Sequence, residues 1–132
     1  MKPKFQAVAG FILLLIPYIS FSADLSIQPP PGSLDKFYSE RGKTSEWIEQ
    51  MRQINKTFGA VFIDMDREDW GKALQSGKDF GLAYQKASKM VPEWKDLFDL
   101  DAAELFIASI QSQDAEKTVQ LSKKLGETCS HC

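Results

Sequence analysis

Apolar side chains recur every three or four residues from residue 44 to the end of the chain, which is the period of an α-helix. The first stretch predicts a helix over 45–65, with Thr44 as its N-cap. Its apolar positions advance mainly by alternating steps of four and three residues, which places them on one face: Trp47, Met51, Ile54, Phe58, Val61, Phe62 and Met65.

A second helix is predicted over 67–91, capped by Asp66 and ended by Pro92, because the residue before a proline is pushed out of the α region. Its apolar stripe contains Gly77 and Gly81, one helical turn apart. Glycines at that spacing let another backbone approach closely, so we expect tight helix–helix packing there. The rest of the stripe is Trp70, Ala73, Leu74, Phe80, Tyr84, Ala87 and Val91.

Two shorter helices complete the pattern, over 101–111 and 115–127, and Asp114 in the turn between them is the predicted cap of the last helix. No stretch shows the alternation or the hairpin turns of β-strands. We therefore predict an all-α protein, an antiparallel four-helix bundle. The expected inward positions are Ala103, Phe106, Ile107 and Ile110 of the third helix, and Ala115, Val119, Ser122, Leu125 and Gly126 of the fourth, with Cys129 next in phase.

Residues 1–23 have the pattern of a secretory signal peptide: two lysines, an apolar run, and small residues that permit cleavage after Ser22 or Ala23. An uncleaved anchor would need about 20 apolar residues, whereas a glutamine, a glycine and a proline interrupt this run. Residues 24–43 are a proline-rich lead-in with one short helical turn, and residues 44–132 form the bundle. We expect a periplasmic protein that meets a membrane only through its signal peptide.

The charge of the chain excludes one class of partner. Its 132 residues carry 16 Lys and Arg against 18 Asp and Glu, a net charge of −2, and loss of the signal peptide with its two lysines makes it −4. Nucleic-acid binding needs a basic stripe, which this dispersed acidity does not provide. The sequence also lacks a Ser-His-acid set and a glycine-rich phosphate loop, so we expect no enzyme activity and no nucleic-acid partner.

The candidate chemistry lies in the last seven residues, GETCSHC, which hold both cysteines and the only histidine. A reactive dithiol favours a helix N-terminus, but Cys129 and Cys132 follow the C-terminal end of a helix, where the dipole disfavours a thiolate. A structural zinc site needs four ligands, and these residues offer three within four positions. A Cys129–Cys132 disulfide is chemically possible after export, but it closes a very small loop and adds little stability.

Covalent attachment of a haem is the fourth possibility. C-x-x-C followed by His is the attachment motif of c-type haem, in which both cysteines become thioethers. The preceding helix directs the motif back into a bundle whose apolar side chains can bury a porphyrin. The iron-ligating His would be the residue directly after Cys132, whereas His131 lies between the cysteines and is expected to be a solvated spacer.

An exported four-helix bundle with C-x-x-C at its C-terminal end resembles the class II c-type cytochromes, the cytochrome c′ group. The resemblance covers 45–132 and is carried by two motifs. One is L-G-x-T-C-S-x-C from Leu125 to Cys132, and the other is M-R-Q-I-N-K-T-F-G-A from Met51 to Ala60, which is similar to the family's first helix.

The resemblance implies one covalent haem c held by Cys129 and Cys132, with Met51 near the distal position of the iron and Phe58 and Gly59 packed near the ring. It places the proximal His, and a basic residue that commonly follows it, after Cys132. The implied function is electron transfer by a periplasmic c-type cytochrome with redox proteins as partners. A homodimer is a further expectation, since relatives are often dimers.

Two other functions stay open. If Met51 is not a ligand, the resemblance implies a five-coordinate haem with an apolar distal face that binds nitric oxide or carbon monoxide. Without haem, the chain would be a secreted helical bundle that binds a partner protein and carries a Cys129–Cys132 disulfide.

Overall fold

The computed structural model describes residues 30–38 and 43–129, with Cys129 by its backbone alone. The predicted signal peptide, most of the proline-rich lead-in, and the residues that follow Cys129, among them Cys132 and His131, lie outside the described residues.

The described part of the chain consists of helices and the turns between them and contains no β-strand, which confirms the predicted all-α bundle. Consecutive helices pack against each other, and their short connections make neighbours antiparallel. A 3₁₀ helix at Gly32–Tyr38 precedes the bundle, and a second at Pro92–Leu97 connects its two halves. The four α-helices are α1 (Glu46–Asp66), α2 (Trp70–Met90), α3 (Leu100–Gln111) and α4 (Ala115–Cys129).

The first two helices begin later than the sequence predicted. Ser45, not Thr44, caps α1, because its hydroxyl accepts the Trp47 N–H at 3.2 Å. The prediction that Asp66 caps α2 is wrong, since α1 continues through that residue. Glu68 then takes a left-handed conformation with φ of 58°, and Asp69 caps α2 by accepting the Lys72 N–H at 3.0 Å.

The core forms where α1, α2 and α3 meet. Phe58, Phe80 and Phe106 contribute one ring each, with centroids separated by 5.0 to 5.6 Å. Such tilted and edge-on contacts are favourable for aromatic rings. Phe80 and Phe106 are buried, whereas Phe58 is only half-buried because one side of its ring faces the gap between α1 and α4. The predicted apolar faces of α1, α2 and α3 are confirmed as the inward faces, except that Ile107 of α3 is only half-buried and borders a groove.

The inward face of α4 differs from the prediction. Ala115, Val119 and Gly126 are exposed, and only Leu125 of the predicted buried positions is buried. Hydrogen bonding explains the shift: the Thr118 hydroxyl contacts the Ser109 hydroxyl of α3 at 2.9 Å in the core. The residues that face the bundle are Thr118, Leu121, Leu125 and Thr128.

The predicted close approach at the two glycines of α2 is confirmed. A Cβ atom added to Gly77 would lie 2.8 Å from Cδ1 of Ile110, and one added to Gly81 would lie 2.7 Å from Cδ1 of Ile107. Both isoleucines belong to α3, so the missing side chains of α2 determine how near α3 packs.

In the described part of the chain, no helix combines the length and apolar character that crossing a bilayer requires.

Alanine substitution at Gly77 is expected to destabilise the bundle. Ile110 is fully buried, so its Cδ1 can move aside only against close-packed neighbours. We therefore expect overpacking of about 1–3 kcal/mol to outweigh the gain of about 1 kcal/mol from helix propensity. Gly81→Ala should be nearly neutral, because half-buried Ile107 borders an open groove into which its end can turn.

Gly59→Ala is the matched control, because a Cβ there meets nothing within 4 Å. This variant should gain about 0.5–1 kcal/mol in the free energy of unfolding, measured by urea titration. Ile110→Val should partly rescue Gly77→Ala. If Gly77→Ala and Gly81→Ala lower the free energy of unfolding equally, the burial of the facing isoleucine does not determine the effect.

Candidate functional site

A gap lies between α1 and α4. The closely packed pairs are α1 with α2, α2 with α3 and α3 with α4, whereas the backbones of α1 and α4 make little contact. Two mainly apolar cavities of about 240 and 150 Å³ lie along this gap and share Ile54 and Asn55 in their walls. We call the two together the α1–α4 cleft. Its other lining residues are Met51, Tyr84, Leu97, Phe98 and Thr128 in the larger cavity, and Phe58, Phe80, Leu125 and Gly126 in the smaller.

Two of the residues singled out from the sequence line this cleft. Met51 is half-buried in the wall of the larger cavity, and Phe58 lies in the wall of the smaller one. Gly59 follows Phe58 on α1 but lines neither cavity, and the space around its Cα is open. The backbone of Cys129 ends α4 directly after Thr128, so the attachment motif begins at the edge of the larger cavity.

Gly126 keeps the α4 side of the smaller cavity free of a side chain. A Cβ atom at Gly126 would meet nothing within 4 Å, so helix packing does not require glycine there. Glycine inside a helix is less favourable than alanine by about 1 kcal/mol. The effect of this residue is therefore to leave space in the cleft beside Phe58 and Leu125.

The walls of the cleft fit an apolar cofactor in character, but the cleft is narrow. Pockets for small molecules usually measure about 300–1,000 Å³, and the cavities of about 240 and 150 Å³ are separate. The side chains of Ile54 and Asn55, which border both, have to move for a planar group as large as a haem.

A buried tyrosine hydroxyl joins three helices at the cleft. Tyr84 of α2 is 1% exposed and lines the larger cavity. Its hydroxyl oxygen lies 2.9 Å from Oγ1 of Thr128 in α4 and accepts the Asp99 N–H, at the start of α3, at 3.2 Å. The sequence had marked Tyr84 only as a core residue. The available signal was its hydroxyl, because a buried tyrosine usually needs a polar partner.

Asp99 and Lys124 form a second connection to the end of α4. The Asp99 carboxylate accepts the Ala102 N–H at 2.8 Å, which caps α3, and binds Lys124 Nζ at 2.7 Å. The hydrogen bond from Lys124, followed by the one from Ala102, lowers the pKa of Asp99, and the same ion pair raises the pKa of Lys124. The Tyr84, Thr128, Asp99 and Lys124 contacts together are the α4 anchor.

The described residues contain no group of three or more His, Cys, Asp or Glu side chains placed to hold a metal ion. Comparisons of the chain with protein-family models, with curated proteins and with solved structures gave no match.

Asp99→Asn is expected to lower the free energy of unfolding at neutral pH by up to about 1 kcal/mol, because asparagine still caps α3 but the partly exposed ion pair is lost. Lys124 holds the pKa of Asp99 below its ordinary value of 3.8. The pair therefore stabilises the fold above that pH, and the stabilisation disappears as the pH falls through the folded-state pKa.

The measurement is the melting temperature of both proteins across the acid range, where their difference should shrink toward zero. Asp96→Asn is the matched control, since Asp96 is exposed on the connecting 3₁₀ helix and loses the same charge. A difference for Asp99→Asn that persists unchanged in acid would mean that the ion pair is not its cause.

Proposed function

We propose that the protein is a periplasmic c-type cytochrome that carries one haem c and transfers electrons to and from redox proteins. One observation carries the proposal: the apolar α1–α4 cleft has Met51 on one wall and, on the other, the last turn of α4, which leads directly into the C-x-x-C motif.

Cys129 and Cys132 would hold the group covalently. Each thiol S–H would add across one vinyl double bond of the porphyrin: sulfur would bond to one vinyl carbon, the thiol hydrogen would go to the other, and no oxidant would be needed. Attached haem supplies one-electron iron chemistry, whose potential depends on axial ligands and burial. Phe58, Ile54 and Leu125 line the smaller cavity with apolar side chains, which would keep water away from the bound group. The proposal requires a His directly after Cys132 as the proximal ligand.

Attachment is tested by expressing the complete gene product for export together with a c-type haem maturation apparatus. Intact-mass spectrometry should show the mass of one haem in the wild type. The Cys129→Ser, Cys132→Ser double variant should lack it, because both thioethers are lost.

A mature chain without haem and two hydrogens lighter than the reduced form would contradict the proposal. That result would favour a secreted bundle that binds a partner protein and holds a Cys129–Cys132 disulfide. A codon for any residue other than histidine directly after Cys132 would also favour that alternative function.

The position of Met51 favours electron transfer over the second haem function, the binding of nitric oxide or carbon monoxide. Its side chain lines the same cavity as Thr128, the residue before Cys129. We propose that its sulfur would hold the iron when haem is bound, since a methionine thioether ligand is typical of electron-transferring cytochromes. An apolar residue there would leave an open face for a gas.

Met51→Leu should convert a low-spin ferric spectrum with a methionine–iron band into one without that band, lower the reduction potential, and create carbon monoxide binding in the ferrous protein. Met65→Leu is the matched control, because Met65 lies on the same helix face, packs on the core and does not line the cleft. A wild type that already binds carbon monoxide, with no change in Met51→Leu, would support the gas-binding function instead.

A further inference from the structure

The hydroxyl of Tyr84 contacts polar groups of two other helices. Its oxygen lies 2.9 Å from Oγ1 of Thr128, and either hydroxyl can donate to the other. The Thr128 hydroxyl also lies 2.7 Å from the Leu125 carbonyl oxygen, to which it can donate. The Tyr84 oxygen in turn accepts the Asp99 N–H at 3.2 Å.

The ring of Tyr84 does not need this hydroxyl for packing. It contacts Phe80 and Phe98, with centroids 5.3 and 5.0 Å away, and phenylalanine would make both contacts. A buried hydroxyl is unfavourable unless it is satisfied, and here it is satisfied by a residue in the last turn of α4. The hydroxyl therefore determines where that turn lies relative to α2.

We infer that Tyr84 is a positioning residue for the haem attachment motif. Thr128 directly precedes Cys129, so a bond that fixes the rotation and height of Thr128 also fixes where the motif leaves α4 beside the cleft. The inference rests on the proposed function, because it assigns Tyr84 a role in that same site. Tyr84 acts through its hydrogen bond to Thr128. Its side chain also forms part of the wall of the larger cavity, together with Met51.

The chain offers a matched control at the other end of α4. The Ser109 and Thr118 hydroxyls lie 2.9 Å apart, are buried, and connect α3 to α4. Neither residue lines the α1–α4 cleft. Loss of this pair removes a buried hydrogen bond between helices, as loss of the Tyr84 bond does, but far along α4 from the cysteines.

The test compares Tyr84→Phe, Thr128→Val, Thr128→Ser and Ser109→Ala. In the Cys129→Ser, Cys132→Ser background, which takes no haem, Tyr84→Phe should speed amide hydrogen exchange at residues 126–129 about fivefold, as expected for one lost hydrogen bond. In the haem-loaded protein, the same substitution should shift the reduction potential and the haem absorption bands. Thr128→Val should reproduce both effects, Thr128→Ser should restore the wild type, and Ser109→Ala should lower only the melting temperature.

The outcomes separate the two hypotheses. If the wild type loads haem and Tyr84→Phe changes neither exchange nor potential, the positioning role is wrong and the proposed function stands. A change in exchange without a change in potential or bands, or an equal change in Ser109→Ala, also overturns it. If the wild type takes no haem, both the proposed function and the positioning role are wrong. Faster hydrogen exchange at residues 126–129 in Tyr84→Phe would then show only that Tyr84 stabilises the end of α4.

Discussion

The close approach of α2 and α3 at Gly77 is the constraint on which the shape of the bundle depends. Ile110 occupies the space that a side chain at this glycine would fill, so α3 packs closely against α2. α1 also packs on α2, through the Phe58–Phe80 contact and a buried hydrogen bond from Gln50 to the Ala83 carbonyl at 2.8 Å. α4 packs on α3, and the α1–α4 cleft is what this unequal packing leaves open.

Polar contacts, more than buried apolar area, determine the orientation of α4 in the bundle. Thr118 bonds to Ser109 near its start, Thr128 bonds to Tyr84 near its end, and Leu125 alone among its described side chains is both apolar and fully buried. A hydrogen bond specifies direction as well as distance, so two such bonds fix the rotation of the helix about its axis. That rotation carries the end of α4, and with it Cys129, to the edge of the cleft.

The sequence predicted the apolar faces of α1, α2 and α3 because large aromatic and aliphatic residues mark them at helical spacing. The sequence did not predict the inward face of α4. Thr118 and Thr128 resemble surface residues, and only the tertiary structure shows their partners, Ser109 and Tyr84. The sequence also misplaced the start of α2 because left-handed Glu68 extends the turn, and a periodic pattern contains no sign of such a conformation. The family resemblance predicted that Met51 and Phe58 belong to the candidate site, and both line the cleft. The contact between Tyr84 and Thr128 depends on tertiary structure, so the sequence could not predict it.

The narrowness of the cleft limits how it can take up a large planar group. α1 is fixed to α2 by the Phe58 ring contacts and by Gln50, and the end of α4 is fixed by its anchor, so the two backbones are poorly placed to separate. The extra space must therefore come from side chains between the two cavities. Asn55 is exposed, so its side-chain amide can turn into solvent and hydrogen-bond to water there. Gly126, in the opposite wall, has no side chain that would have to move. Movement of Asn55 and of Ile54 would join the cavities into one slot from Met51 to Phe58 while the helices, and the position of Cys129, stay where the packing holds them.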